Sequence, residues 1–333
     1  SHSPQPLPAA AVTASTVVPP DPTSPPPTAP ALPPPGKGRD LVAVDPSTPP
    51  EVLAALAADP DPEVRAGVAA NPHTPPAVLA VLAADDDPVA RDPSRPILGS
   101  RPQIRWNIAA NTSTPAETLS VLAGDDDDQV RRWTASNQTT PQTGLGRLAR
   151  DASFVTRSAV AANPASPPRV LARLARDNEP NVRSAAARNQ RTPRRALVRL
   201  AHGRHAATVA ANPACPTWLL ARLARRSSDD VRAAVATNPA TTHRTLRRIA
   251  RHPWAPSARI AEARLPATPP ERIAELAAGE EWQPRVEIAG RRDLPAGVLA
   301  DLAVDPNPLV RATAKKNPDF VGAAAAHAGL LAD

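Results

Sequence analysis

From Asp45 onward, apolar residues fall at helical spacing, stop at a polar turn, and begin again. Between Asn163 and Arg188, the residues Val170, Leu171, Leu174 and Ala175 lie on one helical stripe. A turn over Asp177 to Pro180 follows, and Val182, Ala185 and Ala186 open a second apolar segment. The same pattern restarts at Asp45, Asn71, Asn111, Asn137, Asn163, Asn189, Asn212, Asn238, Leu265 and Arg291, with a partial unit at Asn317. The usual period is 26 residues; the second unit is stretched to 40 by an insertion around Asp92 to Arg101, and the sixth is cut to 23. A fixed period of this length predicts stacked units, because one unit alone cannot close a core.

The punctuation of each unit fits two helical segments. Asn163 and Pro164 end one helix: Asn tolerates the left-handed conformation and Pro cannot continue a helix. Ser166 is then expected to cap the next helix, with Pro167 in its first turn. The second segment is short and rich in Ala, which leaves a single α turn and a 3₁₀ piece both open. Residues 1–40 differ. Their runs Pro19-Pro20, Pro25-Pro26-Pro27 and Pro33-Pro34-Pro35 favour extended polyproline II and offer little to bury, so they are expected to be a disordered arm before a solenoid over 41–333. Such an arm suits a spacer or a docking ligand for a small proline-binding module.

Aromatic residues make up 2% of the chain, and Tyr and Met are absent. Ala, Leu and Val must therefore fill a thin, continuous interior between closely stacked helices. The units resemble the leucine-rich repeat variant family, whose pattern runs Asn-Pro-x-Thr-Pro-x-x-x-Leu-x-x-Leu-Ala-x-Asp and then Val-Arg-x-x-Val-Ala. Here Asn71-Pro72-His73-Thr74-Pro75, Leu79, Leu82-Ala83 and Asp85 carry the first half, and Val64-Arg65 with Val68-Ala69 the second; the resemblance covers about 45–318. It implies an all-α, right-handed superhelical solenoid of about ten repeats, with one layer of α-helices and one of 3₁₀ helices, and a use in binding. The cysteine-bound iron-sulfur module of the founding type has no counterpart in the proline-rich start of this chain. A HEAT-like solenoid of paired α-helices is the competing architecture, and the second segment decides between them.

Charge adds a feature that the repeat does not need. The net charge of +7 is unevenly spread: about zero over 1–40, −9 over 41–130, +19 over 131–264 and −3 thereafter. Arg65, Arg105, Arg131, Arg157, Arg183, Arg232, Arg285 and Arg311 recur at one place along the chain, so they read as scaffold, capping carbonyls or pairing with the turn acids. A second set is confined to the first helix of repeats four to eight. It comprises Arg147 and Arg150, Arg173 and Arg176, Arg199 and His202, Arg222 and Arg225, and Arg248 and Arg251. Four residues before the first of each pair stand Arg169, Arg195, Trp218 and Arg244 in repeats five to eight. Spacings of three and four put each group on one helix face, and stacking multiplies the face into a patch. In other repeats the same places hold Glu51, Ala55 and Ala58, or Glu271, Glu275 and Ala278, or Asp301. A bland reading is a solvated face neutralised by i, i+4 pairs such as Arg147 with Asp151 and Arg173 with Asp177. Trp218 is either an exposed stacking platform or a gap-filler beside the shortened repeat, and Trp106, Trp133, Trp254 and Trp282 are expected to pack near the second segment.

Reaction chemistry has little to stand on. No glycine-rich phosphate loop, nucleophile elbow or paired-carboxylate motif occurs, so no catalytic residue and no cofactor is assigned. Cys215 stands where Thr or Ser is usual; a helix-cap position would make it reactive, whereas a plain substitution for a hydroxyl would not. As the only cysteine it excludes an internal disulfide, which suits a reducing, cytoplasmic setting. His202, His205, His243 and His252 lack the carboxylates or further Cys of a metal site, and Asp85 to Asp87 and Asp125 to Asp128 lack the glycine and distal Glu of a calcium loop. No stretch is long enough to span a membrane. The chain opens at Ser1 instead of Met, which fits processing or a fragment. The expectation is a non-enzymatic scaffold that binds an acidic protein segment through repeats four to eight. Sequence-independent nucleic-acid binding by the same face, and self-association of acidic with basic repeats, are the alternatives.

Overall fold

The computed structural model describes residues 38–84, 104–226, 228–252 and 255–320. Among these residues there are 21 α-helices and no strand, and the helices form two layers. First-layer helices are typified by Pro168–Leu174 and second-layer helices by Pro180–Arg188. The arm over residues 1–37 and the insertion around Asp92 to Arg101 lie outside the described residues, as does Trp254. The first described helix, Arg39–Val44, begins inside the stretch expected to be arm, and it packs as a second-layer member against Pro62–Ala70.

The apolar stripe read from the sequence is the interior. Val170, Leu171, Leu174 and Ala175 are buried, as are Val182, Ala185, Ala186 and Ala187 of the following helix. The second segment, however, is neither a single turn nor 3₁₀. It is a nine-residue α-helix, two residues longer than its seven-residue partner, and the same holds for Asp128–Ser136 and Phe154–Ala162. Of the two helix types left open for the second segment, a short α-helix is the one realised. Ala is the best helix former and lets neighbours close in, so the segment gains its length from contact with a second-layer helix on each side. At Gly67 the approach is so close that a Cβ would sit 2.9 Å from that of Ala43 in the preceding second-layer helix. A 3₁₀ turn does occur at Gly203–His205, where the shortened sixth repeat leaves no room for a full helix start and Gly203 takes φ 65°.

The recurrent Asn does a different job from the one its position suggests. Asn163 is extended, with φ −64° and ψ 123°, so it is not a left-handed cap. It is buried, and its amide donates to the Ala135 carbonyl at 2.8 Å and the Asn137 carbonyl at 2.9 Å, both one repeat earlier. Its Oδ1 accepts from the Ala165 backbone. The same pair of bonds recurs at Asn71, Asn111, Asn137, Asn189, Asn212, Asn238 and Asn317. Where Leu265 and Arg291 replace Asn, the guanidinium groups of Arg264 and Arg291 donate to the equivalent carbonyls. The ladder also crosses the stretched second repeat, where Asn111 reaches Ala69 and Asn71 at 2.9 Å each, and the shortened sixth.

A second recurrent bond locks each unit to its own turn. Ser166 does not cap the helix after it; its hydroxyl donates backward to the Val160 carbonyl at 2.6 Å, while Pro167 is the N-cap and Pro168 the first helical residue. Thr74, Thr114, Thr140, Thr192, Thr241 and Thr268 bond the carbonyl six residues earlier in the same way. Cys215 takes this place in repeat seven. Its Sγ is buried in the central apolar cluster, and burial pushes the thiol up to about 11, which removes the reactive-thiol reading.

Two outcomes test these bonds. Asn163→Ala leaves the carbonyls of Ala135 and Asn137 without their amide donors and is expected to destabilise the fold by about 2–3 kcal/mol, read from the chemical denaturation midpoint. Cys215→Thr restores the missing hydroxyl in a site of similar volume, and a melt should show stabilisation of about 0.5–1 kcal/mol.

Candidate functional site

The turn after each first-layer helix leaves carbonyl oxygens facing the recurrent scaffold arginines. Arg157 donates from Nη1 to the Asp151 and Ala152 carbonyls at 2.8 and 3.0 Å. Its other nitrogens grip Asp177 of the next repeat at 2.7 and 3.0 Å. That hydrogen-bonded guanidinium holds the Asp177 carboxyl below the usual carboxylate range, and Asp177 in turn accepts from the Glu179 backbone. Arg131 with Asp151 and Arg285 with Asp305 repeat the arrangement, each at 2.7 Å; Arg105 pairs with Asp125 at 2.9 Å, and Arg39 with Asp59 at 2.6 Å. Arg65, Arg183 and Arg311 cap the equivalent carbonyls. Both suggested scaffold roles are therefore combined in one side chain. In repeat eight the pairing is made by Arg259 with Glu281 at 2.9 Å, a residue that the simple register of the motif does not mark.

These pairs decide the fate of the patch. Asp151 and Asp177, the acids placed to neutralise Arg147 and Arg173, are instead held by Arg131 and Arg157. The guanidinium groups of the first-layer face are left to solvent: Arg147, Arg150, Arg169, Arg173, Arg176, Arg195, Arg199, Arg222, Arg225, Arg244 and Arg251 are exposed, and Arg248 is half-buried. Trp218 is 54% exposed on the same face, so it does not fill a gap.

Clefts open along the first-layer helices. Arg147, Arg150, Arg169 and Arg173 line one open cleft of about 1010 Å³, with the Arg131–Asp151 pair at its edge. The Arg147 guanidinium lies over Gly124 there. A second cleft of about 630 Å³ gathers Arg176, Arg199 and His202 with Arg183, Arg204 and His205. Arg195, Trp218, Arg222, Arg225, Arg244, Arg248 and Arg251 line neither cleft and continue the surface along the solenoid. Arg204 escaped the sequence reading because the shortened repeat throws it out of register, and exposed Arg194 and Arg247 because they stand outside the aligned rows.

The second cleft contains an unusual substitution. In the sixth repeat the turn acid is missing, and buried His205 receives the scaffold arginine: Arg183 Nε lies 3.4 Å from Nε2, and the Ser184 hydroxyl 3.1 Å from Nδ1. Burial, then Arg183 and Arg204, depress its pKa. Two other expectations change. Trp133 and Trp282, expected to pack, are 38% and 41% exposed, Trp133 lying beneath the Arg132 guanidinium at 5.6 Å from the ring centroid. Trp106 alone of the described three is partly packed against the core. Among the described residues no group of three or more His, Cys, Asp or Glu side chains could hold a metal ion, and no helix is long and apolar enough to cross a membrane.

A histidine with a depressed folded pKa contributes stability that is complete above its unfolded value, near 6.5, and is lost as pH falls from there through the lower folded value. The melting temperature is expected to fall between about pH 7.5 and pH 5.5, and His205→Gln to flatten that dependence.

Residues 38–96 match the family model of the Leucine Rich Repeat Variant domain. No curated protein matches the chain. A solved leucine-rich repeat variant, described as having a novel repetitive structural motif, is 21% identical, with 80% of this chain and 81% of that one covered at a TM-score of 0.32. An engineered protein is 18% identical, covering 85% and 94% at 0.31, and a designed armadillo repeat protein in complex with peptide (KR)4 is 13% identical, covering 81% and 97% at 0.15. In its sequence over 38–96 the chain resembles the leucine-rich repeat variant proteins, and its own ladder of bonds carries the same unit on to Asn317.

Proposed function

We propose that this chain is a non-enzymatic scaffold whose repeats four to eight bind an acidic segment of a partner protein. One observation carries the reading: the scaffold arginines occupy the very carboxylates that could have neutralised the exposed ones. Repulsion within a row is modest, because unit charges about 8–10 Å apart in water repel by only about 0.4–0.5 kcal/mol. The row is therefore tolerable without a ligand, yet each of its charges remains available to one. A chain carrying carboxylates at matching intervals gains a favourable contact at each helix and is steered toward the face by its field.

Nucleic acid is the second reading, and the exposure of Trp218 beside Arg222 and Arg225 favours it, since a base can stack on an open indole. The ends of the patch weigh the other way. Exposed Glu117 and Asp126 to Asp128 stand before it, and exposed Glu271, Glu275 and Asp301 after it. A long polyanion would run onto these carboxylates, whereas a short acidic segment would end before them.

Replacing Arg173, Arg176, Arg222 and Arg225 together by Glu is expected to abolish binding of a pentaglutamate-containing peptide, measured by fluorescence anisotropy, with far-ultraviolet ellipticity unchanged. Unaltered affinity would remove the proposal. Absorbance at 260 nm that co-purifies with the protein and disappears on nuclease treatment would select nucleic acid instead.

A further inference from the structure

Followed along the solenoid, one place on the first-layer helices changes character in blocks. It is held by Val81 and Val121 in repeats two and three, by Arg147, Arg173, Arg199, Arg222 and Arg248 in repeats four to eight, and by Glu275 and Asp301 in repeats nine and ten. The two valines are 73% exposed each, among the most exposed large apolar side chains of the described residues. Ala77, Ala84 and Gly124 stand at neighbouring places around them, and exposed Glu117 lies one turn before Val121. The ladder from Asn111 to Ala69 and Asn71 stacks repeats two and three directly, so the valines sit on consecutive units despite the 40 residues between Asn71 and Asn111. Beyond the arginines, Glu275 is held by Arg272 at 2.6 Å, and Glu271 and Asp301 add exposed carboxylates. The row therefore reads apolar, basic, acidic, in one direction.

A row with three kinds of end and middle is directional, and a uniformly acidic ligand would use only its centre. We infer that the partner segment is an extended chain of about 20–25 residues that carries its own ordered blocks: an apolar anchor over Val81 and Val121, carboxylates over the five arginines, and basic residues over Glu271 and Asp301. The length follows from helix spacing. Nine first-layer helices about 8–10 Å apart span roughly 64–80 Å, and a chain in the polyproline II conformation advances about 3.1 Å per residue. Each repeat thus meets about three residues of the ligand, one turn of polyproline II, so every third ligand side chain faces the row. Charge alone would let an acidic segment slide between registers one repeat apart; the apolar and basic ends remove that freedom, since a shift places an apolar anchor on arginine or lysine beside Arg248. The inference rests on the acidic-segment reading given above and adds register and polarity to it.

Three labelled peptides separate the two. One carries five Glu at every third position in a Ser/Gly background. The other two add Leu at two third positions on one end and Lys at two third positions on the other, with the apolar end N-terminal in one and C-terminal in the other. One of the two composite peptides is expected to bind at least tenfold more tightly than the Glu block, and its mirror order no more than twofold. The double variant Val81→Glu with Val121→Glu, at positions too exposed to affect folding, should remove that gain while leaving affinity for the Glu block within a factor of two. If the Glu block binds but neither composite improves on it, or the double variant keeps the gain, the ordered row is wrong while the acidic-segment reading stands. If the Glu block fails to bind and a poly-uridine strand binds instead, that reading fails and this inference with it.

Discussion

Everything in this architecture depends on a single buried amide per repeat that donates to two backbone carbonyls of the repeat before it. Those carbonyls belong to the end of a second-layer helix and to the turn beyond it, where helical bonding has run out and water is excluded. An orphaned buried acceptor costs about 1–3 kcal/mol, so the amide fixes both the spacing and the orientation of consecutive units. The same requirement explains why the ladder survives irregularity. Arg264 and Arg291 can replace the amide because a guanidinium also presents two donors in one plane, and the 40- and 23-residue intervals are absorbed elsewhere while the donors and acceptors stay in register.

Because Asn, Thr and the recurrent scaffold arginines make the bonds that join and close the repeats, the outward face of the first layer takes no part in them. Its residues can be Ala, Val, Arg or Glu without altering a buried bond. That freedom is what makes the confinement of arginine to five neighbouring repeats informative. Beneath that face a continuous apolar cluster extends from Ala123 to Ala261. Two populations of one residue type thus coexist on adjoining surfaces. Arg157 is tied to Asp177 and two carbonyls, whereas Arg173, one repeat on, has lost its nearest carboxylate to that tie.

Much of this was legible in the order of residues. Leu171 and Leu174 mark the buried stripe, and the turn acids and scaffold arginines were assigned to each other because both recur wherever the unit recurs. The local rows of arginine were visible for the opposite reason, since they do not recur. What misled was local chemistry taken out of its surroundings. Asn before Pro resembles a left-handed helix end, and Ser before Pro resembles an N-cap, yet each side chain bonds backward or across, to partners six residues or a whole repeat away. A short Ala-rich segment looks marginal as a helix until a neighbour lies on each side of it.

Periodicity is a property of the chain, and it was enough to establish repeated helices, their apolar faces and the place of the arginines, because a 3.6-residue turn converts spacing into direction. Competition between side chains is a property of the assembled fold. Whether Asp151 serves Arg131 or Arg147 depends on which guanidinium the stacking brings to it, at 2.7 Å in the first case. Only three-dimensional packing could allot those carboxylates, and with them decide which arginines face solvent without a partner.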